Sequence, residues 1–166
     1  MDAGKILYAN DEGRLVLKLV GDLRLGHSFD ATAALDAFLD QQFEEHRITC
    51  IVIDIRGVES IDSTNLGLLA KASSYTQRNL KNKPVLVSTH PDINTILRSV
   101  GFDQVFHLVD HVEDPPPALE ALKIEGDTEK DFPYLILEAH RALAALNDKN
   151  AAEFKELIEI FEKELE

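Results

Sequence analysis

The chain has 166 residues, the size of one domain with room for an appendage. At 45% hydrophobic it can build a proper core, yet no run of about eighteen apolar residues occurs, so a membrane-spanning helix is not expected. A formal net charge of −13 opposes phosphate backbones and anionic lipid heads, which disfavours direct binding of nucleic acid or membrane.

The charge is uneven. Residues 1–112 carry a balance of −4 and residues 113–166 a balance of −9. Two readings fit: a protein partner with a basic face, or solubility alone. The N-terminus, Met1-Asp2-Ala3-Gly4-Lys5, lacks the pattern of a signal peptide. The single cysteine, Cys50, lies in an apolar run and reads as a buried structural thiol. A soluble, cytoplasmic protein is the expectation.

In chain order, Lys5 to Asn10 and Arg14 to Val20 are short apolar runs separated by Asp11-Glu12-Gly13, a β-hairpin pattern. A helix is expected from Ser28 to Glu45, capped by Ser28 and Asp30, with Phe29, Ala33, Leu35, Phe38 and Leu39 at helical spacing. Thr49 to Ile55 is almost continuously apolar, the pattern of a strand buried on both faces in a parallel sheet. A short polar connection then leads to a helix from Asp62 to Leu80, whose inward side is Leu66, Leu69, Ala70 and Ala72. Pro84 to Ser88 is a further strand, Asp92 to Ser99 a short helix ended by Gly101, and Gln104 to Val109 the last strand. A strand pair followed by alternating helices and strands predicts an α/β sandwich with a mixed, partly parallel sheet.

From Glu113 the character shifts. Asp114-Pro115-Pro116-Pro117 should stop the strand, Ala118 to Lys123 reads as a short helix, and Gly126 to Asp131 as a polar linker. Pro133 opens a helix with Leu135, Ile136, Ala139, Leu143 and Leu146 on one side. After the turn Asn147-Asp148-Lys149-Asn150, Ala151 to Leu165 forms a second amphipathic helix through Phe154, Leu157, Ile158 and Phe161. The expected division is a domain over 1–122, a linker over 123–132 and a helical hairpin over 133–166. Two helices cannot bury these stripes alone, so they must dock on their own domain, on a second copy to form an oligomer, or on a partner.

The most informative segment runs from Ile53 to Gly67, where a buried strand leads to Asp62-Ser63-Thr64 at the start of a helix. A serine there has an acidic neighbour and sits where free N–H groups and the helix dipole favour an anion such as phosphate. The same residues also make an ordinary helix cap. Both readings fit the chemistry.

Asp54-Ile55-Arg56-Gly57-Val58, Ile61-Asp62-Ser63-Thr64 and Leu66-Gly67-Leu68-Leu69 together resemble the signature of STAS domains, in particular the bacterial anti-sigma factor antagonists. The resemblance spans about residues 5 to 122 and is supported by Gly21-Asp22-Leu23 after the second strand. It implies a STAS-like sandwich and makes Ser63 the phosphorylated residue, with Asp22, Arg24, Asp62, Ser63, Thr64, Asn65 and Leu66 at the partner-binding surface. Two departures stand out. Asn65 replaces a usual Gly, and Asn tolerates awkward backbone angles next best. Arg24 replaces an acidic residue, which changes the charge beside the switch serine.

Implied partners are an anti-sigma factor, a serine kinase and a serine phosphatase. A STAS accessory subunit of a transporter or other complex, never phosphorylated, is the alternative. Enzymatic readings find little support. A receiver domain would need an acidic pair after its first strand and a lysine after its last, where this chain has Tyr8-Ala9-Asn10 and His111. The six histidines lack metal spacing, and neither a phosphate-binding glycine loop nor the Gly-x-Ser-x-Gly setting of a hydrolase occurs. No catalysis, cofactor or metal is expected.

Overall fold

A computed structural model describes residues 2–113, 118–123 and 132–166. Its first two strands, β1 (Lys5–Asp11) and β2 (Arg14–Leu23), pair antiparallel and close with Asp11 opposite Arg14. The turn residues Glu12 (φ 52) and Gly13 (φ 95) both take left-handed angles, which matches a tight turn to the twist of its strands. Asn10 accepts a hydrogen bond from the Gly13 N–H at 2.8 Å and steadies that turn.

The chain continues through α1 (Phe29–Glu45), β3 (Cys50–Ile61), α2 (Ser63–Asn79), β4 (Val85–Val87), α3 (Pro91–Ser99), α4 (Phe102–Val105), β5 (His107–Val109) and β6 (Glu120–Ala121). The sheet order is β5-β4-β3-β2-β1-β6, parallel from β2 to β5 and antiparallel on both sides of β1. This is the mixed α/β sheet that the sequence predicts. Leu15, Leu17 and Leu19 of β2 and Ile51, Ile53 and Ile55 of β3 join the helices in the main core. Val16, Val52 and Val87 alternate with them and form a smaller cluster on the opposite face.

Several local expectations need correction. Ser28 precedes α1 but makes no side-chain cap. Its hydroxyl instead accepts from the Gly4 N–H and donates to the Asp22 carbonyl, tying the N-terminal segment to the end of β2. The residues from Arg56 to Ser60, expected as a connection, belong to β3, because β2 extends past a register shift to pair Asp22 with Ser60 and Leu23 with Ile61. Gln104 and Val105 belong to α4 rather than a strand, held by the buried rings of Phe102 and Phe106 at 4.8 Å. Glu120 and Ala121 form a strand rather than a helix, covering the otherwise open edge of β1, with the Tyr8 hydroxyl donating to Glu120. The expected breaker at Asp114 to Pro117 and the linker from Gly126 to Asp131 lie outside the described residues.

The C-terminal part is helical, as α5 (Phe132–Ala144) and α6 (Asp148–Glu164). In α5, Phe132, Leu135, Leu137, Ala139, His140 and Leu143 are buried, and the helix packs across α2. Phe132 meets Phe29 edge-on at 4.8 Å, joining the start of α5 to the start of α1. At the far end Asn150 donates to the Val100 and Leu143 carbonyls at 2.8 and 3.0 Å, and Lys149 donates to the Ser99 carbonyl at 2.8 Å. The α5–α6 connection thereby satisfies carbonyls at the C-terminal end of α3. Phe154, Leu157, Ile158 and Phe161 of α6 are only half-buried. Among the described residues no helix is long and apolar enough to cross a membrane.

Candidate functional site

Asp62 is the N-cap of α2, in extended backbone at φ −102 and ψ 175. Its Oδ1 accepts from the Asn65 N–H at 3.0 Å, and its Oδ2 accepts from the Leu25 N–H at 2.6 Å. One carboxylate therefore caps the helix and fixes the loop after β2. Because Asp62 caps α2, the hydroxyl of Ser63 is spared that task.

Asn65 is buried and helical, with φ outside the left-handed region, so tolerance of awkward angles is not its use. Its Nδ2 donates to the Leu23 carbonyl at 2.8 Å and to Asp62 Oδ1 at 3.0 Å, while its Oδ1 accepts from Thr32 at 3.2 Å. A glycine could do none of this. Asn65 pins the head of α2 to the end of β2 and to α1.

Asp22 is also buried, and Arg24 grips it through two bonds, Nε to Oδ1 at 2.9 Å and a terminal nitrogen to Oδ2 at 2.7 Å. The Arg24 hydrogen bond, helped by its charge and by His27, holds the Asp22 carboxyl below the usual carboxylate range. Arg24 remains 40% exposed, so it is the part of this pair within reach of another molecule. A second Arg-on-Asp clamp lies at the middle of β3, where Arg56 holds Asp54 at 2.8 Å.

Ser63 is half-buried at the first residue of α2, and its Oγ lies 2.8 Å from His140 Nε2 on α5. His140 Nδ1 lies 2.7 Å from the Ile136 carbonyl oxygen, one turn back on the same helix. A carbonyl only accepts, so Nδ1 carries the proton; in the neutral ring Nε2 is then an acceptor, and the Ser63 hydroxyl donates to it. His140 is itself buried, with its ring edge-on to Phe154 at 5.4 Å.

One turn along α2, a side-chain carbon on Gly67 would fall 2.2 Å from the Ala139 carbonyl oxygen. The two helices therefore meet almost backbone to backbone beside Ser63. This explains why Thr64, Asn65, Gly67 and Leu68 are buried along with the expected Leu66, Leu69, Ala70 and Ala72. The sheet and α1 take one side of α2, and α5 takes the other.

The structure brings together Asp22, Arg24, Asp62, Ser63, Thr64, Asn65 and Leu66. Asp22, Thr64, Asn65 and Leu66 are buried in this arrangement, which leaves Arg24, Asp62 and Ser63 partly accessible. Sequence reasoning missed His140, 77 positions from Ser63, and the close approach of Ala139. One signal was available: His140 is a polar residue on the apolar side of α5, four positions after Ile136 and three before Leu143. Among the described residues no group of three or more His, Cys, Asp or Glu side chains is arranged to hold a metal ion.

A family model described as the STAS domain matches residues 6–114. The fold is similar to the anti-sigma factor antagonist SpoIIAA in its unphosphorylated form, at TM-score 0.53 and 16% identity, covering 66% of this chain and 90% of that one. The Bacillus cell fate determinant SpoIIAA in the phosphorylated form gives TM-score 0.53 and 16% identity, covering 66% and 92%. An anti-sigma factor antagonist from Mycobacterium paratuberculosis gives TM-score 0.51 and 20% identity, covering 67% and 89%. No curated protein matches the chain. Residues 115–166, which include α5 and α6, lie beyond the family match.

Proposed function

The chain belongs to the STAS domain family, and from that premise we propose that it is a phosphorylation-switched binding module, an anti-sigma factor antagonist. Unphosphorylated at Ser63, it binds an anti-sigma factor and so frees a sigma factor. Phosphorylated, it lets the anti-sigma factor go. The observation that carries this reading is the division of labour at the head of α2: Asp62 caps the helix, so the hydroxyl of Ser63 is not committed to the helix's own backbone. Similarity in fold to an anti-sigma factor antagonist known in both unphosphorylated and phosphorylated forms supports it. In this reading residues 1–122 are the STAS domain, 123–132 a linker and 133–166 an added hairpin.

A serine kinase moves the γ-phosphoryl group of ATP to Ser63. The bond from Oγ to phosphorus forms, the bond from phosphorus to the β,γ-bridging oxygen breaks, ADP leaves, and a base of the kinase takes the hydroxyl proton. A serine phosphatase passes the group on to water as inorganic phosphate. The switch is local electrostatics. Phosphate adds a charge of about −1.5 to −2 next to Asp62. Like charges brought together in an interface cost several kcal/mol, and every ~1.4 kcal/mol is tenfold in affinity. Arg24, Asp62 and Ser63 form the polar part of the contact, with the buried Asp22 holding Arg24 in place and Thr64, Asn65 and Leu66 shaping it from beneath.

A pull-down with the anti-sigma factor tests the direction of the switch. Ser63→Ala should retain binding, and Ser63→Asp should weaken it. Tighter binding by Ser63→Asp would reverse the mechanism. One observation favours a second reading, an accessory STAS subunit that never carries phosphate: the Ser63 hydroxyl is already engaged by His140. Phosphate on Ser63 in the native protein separates the two.

A further inference from the structure

In this chain the face of α2 that carries Ser63 is not open. Ser63 and Gly67 are four residues apart and so share one face of α2. Over that face lies α5, with the Ala139 carbonyl against Gly67 and the His140 imidazole on the Ser63 hydroxyl. The cover is held at both ends, by Phe132 on Phe29 and by Asn150 and Lys149 on the last carbonyls of α3.

We infer that the first two turns of α2 are a helix-binding surface occupied in cis by α5, and that phosphorylation of Ser63 and docking of the hairpin exclude each other. This deepens the reading of Ser63 as a phosphosite and rests on it. The exclusion is steric first. Oγ and Nε2 stand at hydrogen-bond distance, and a phosphorus atom with three further oxygens has no room between them. A kinase must surround the hydroxyl, so it acts on the chain with α5 lifted. Charge works the same way, since residues 132–166 hold eight acidic and four basic side chains, and a phosphate dianion is repelled by that net negative balance.

The partner that takes the vacated face is specified by what leaves it. It presents a helix with a small residue opposite Gly67, so that the backbones can meet, and a hydrogen-bond acceptor opposite Ser63. Apolar residues flank these, in the positions of Leu135 and Leu143. Covalent tethering through residues 124–131 keeps the displaced hairpin near its seat, so partner and hairpin compete for one surface.

Amide hydrogen exchange on the full chain tests this, with phosphoserine installed at position 63 during synthesis and β3 as internal reference. In the unmodified chain, α5 should be protected. In the phosphoserine protein, protection of residues 132–144 should fall by about tenfold or more while β3 is unchanged. Protection of α5 retained or raised, as when His140 holds the phosphate, would overturn the inference. Ala139→Arg, which places a long charged side chain at the seam, should open α5 in the same way without phosphate. Should that variant also lose protection in β3, Gly67→Ala is the milder change to measure, and an undisturbed α5 in it would count against the seam. Protection that disappears on dilution, with a doubled hydrodynamic mass when concentrated, would place α5 on a second copy and overturn docking in cis. Absence of phosphate on Ser63 in the native protein would remove the functional reading, whereas loss of α5 protection in Ala139→Arg would still establish the cover.

Discussion

The carbonyl of Ala139 sits where the side chain of any residue other than glycine at position 67 would have to go, 2.2 Å from the nearest possible carbon. That single approach decides how closely α5 lies on α2, and therefore whether His140 reaches Ser63.

Gly67→Ala sets two effects against each other. Alanine favours a helix interior by ~1 kcal/mol over glycine. Overpacking against backbone costs typically ~1–3 kcal/mol, and a contact this short belongs at the upper end. A net loss of about 1–2 kcal/mol is expected, read as a lower urea midpoint. A gain in stability would mean that α5 is not seated on α2.

The bond between Ser63 and His140 makes the standard switch variants less innocent than they look. Ser63→Ala leaves Nε2 of a buried imidazole without its donor, at a cost of about 1 kcal/mol. His140→Ala should cost more, because it also removes packing against Phe154. In a double-mutant cycle the pair should show a coupling of ~0.5–1.5 kcal/mol. Purely additive effects would show that the hydroxyl and the ring do not meet in solution.

Acid should weaken the fold through two clamps. In Asp22, the Arg24 hydrogen bond is the main cause of a lowered pKa. For Asp54, burial pushes the carboxyl up, but the hydrogen bonds and charge of Arg56 outweigh it and leave the pKa lowered. A carboxyl with a lower pKa folded than unfolded binds fewer protons in the native state. Its contribution is complete above the unfolded value, near ~4, and is lost as pH falls through the folded one. Urea midpoints measured from neutral pH down to about 3 should therefore fall, and Arg56→Ala should flatten that fall. Both arginines are partly exposed, so salt should shrink the effect. An identical pH profile in Arg56→Ala would show that the Asp54 clamp contributes nothing.

What could be read from the sequence was what is local. The hairpin at Asp11-Glu12-Gly13, the helix start at Asp62-Ser63-Thr64 and the strand buried on both faces from Ile51 to Ile55 each depend on neighbours a few residues away. β6 could not be read this way, because two residues become a strand only where β1 offers an open edge. Asn65 misdirects a local reading: it suggests backbone tolerance, whereas its side chain joins Leu23, Thr32 and Asp62 from three parts of the chain. His140 was legible only as a polar residue on an apolar stripe, and its partner is set by how α5 lands on α2.

Phosphopeptide mapping of the protein purified from its own host decides whether Ser63 is a phosphosite. Phosphate is expected on Ser63, absent from Ser63→Ala and retained in Thr64→Val. A chain unphosphorylated under every growth condition, or labelled on Thr64 with Ser63 bare, would contradict that expectation.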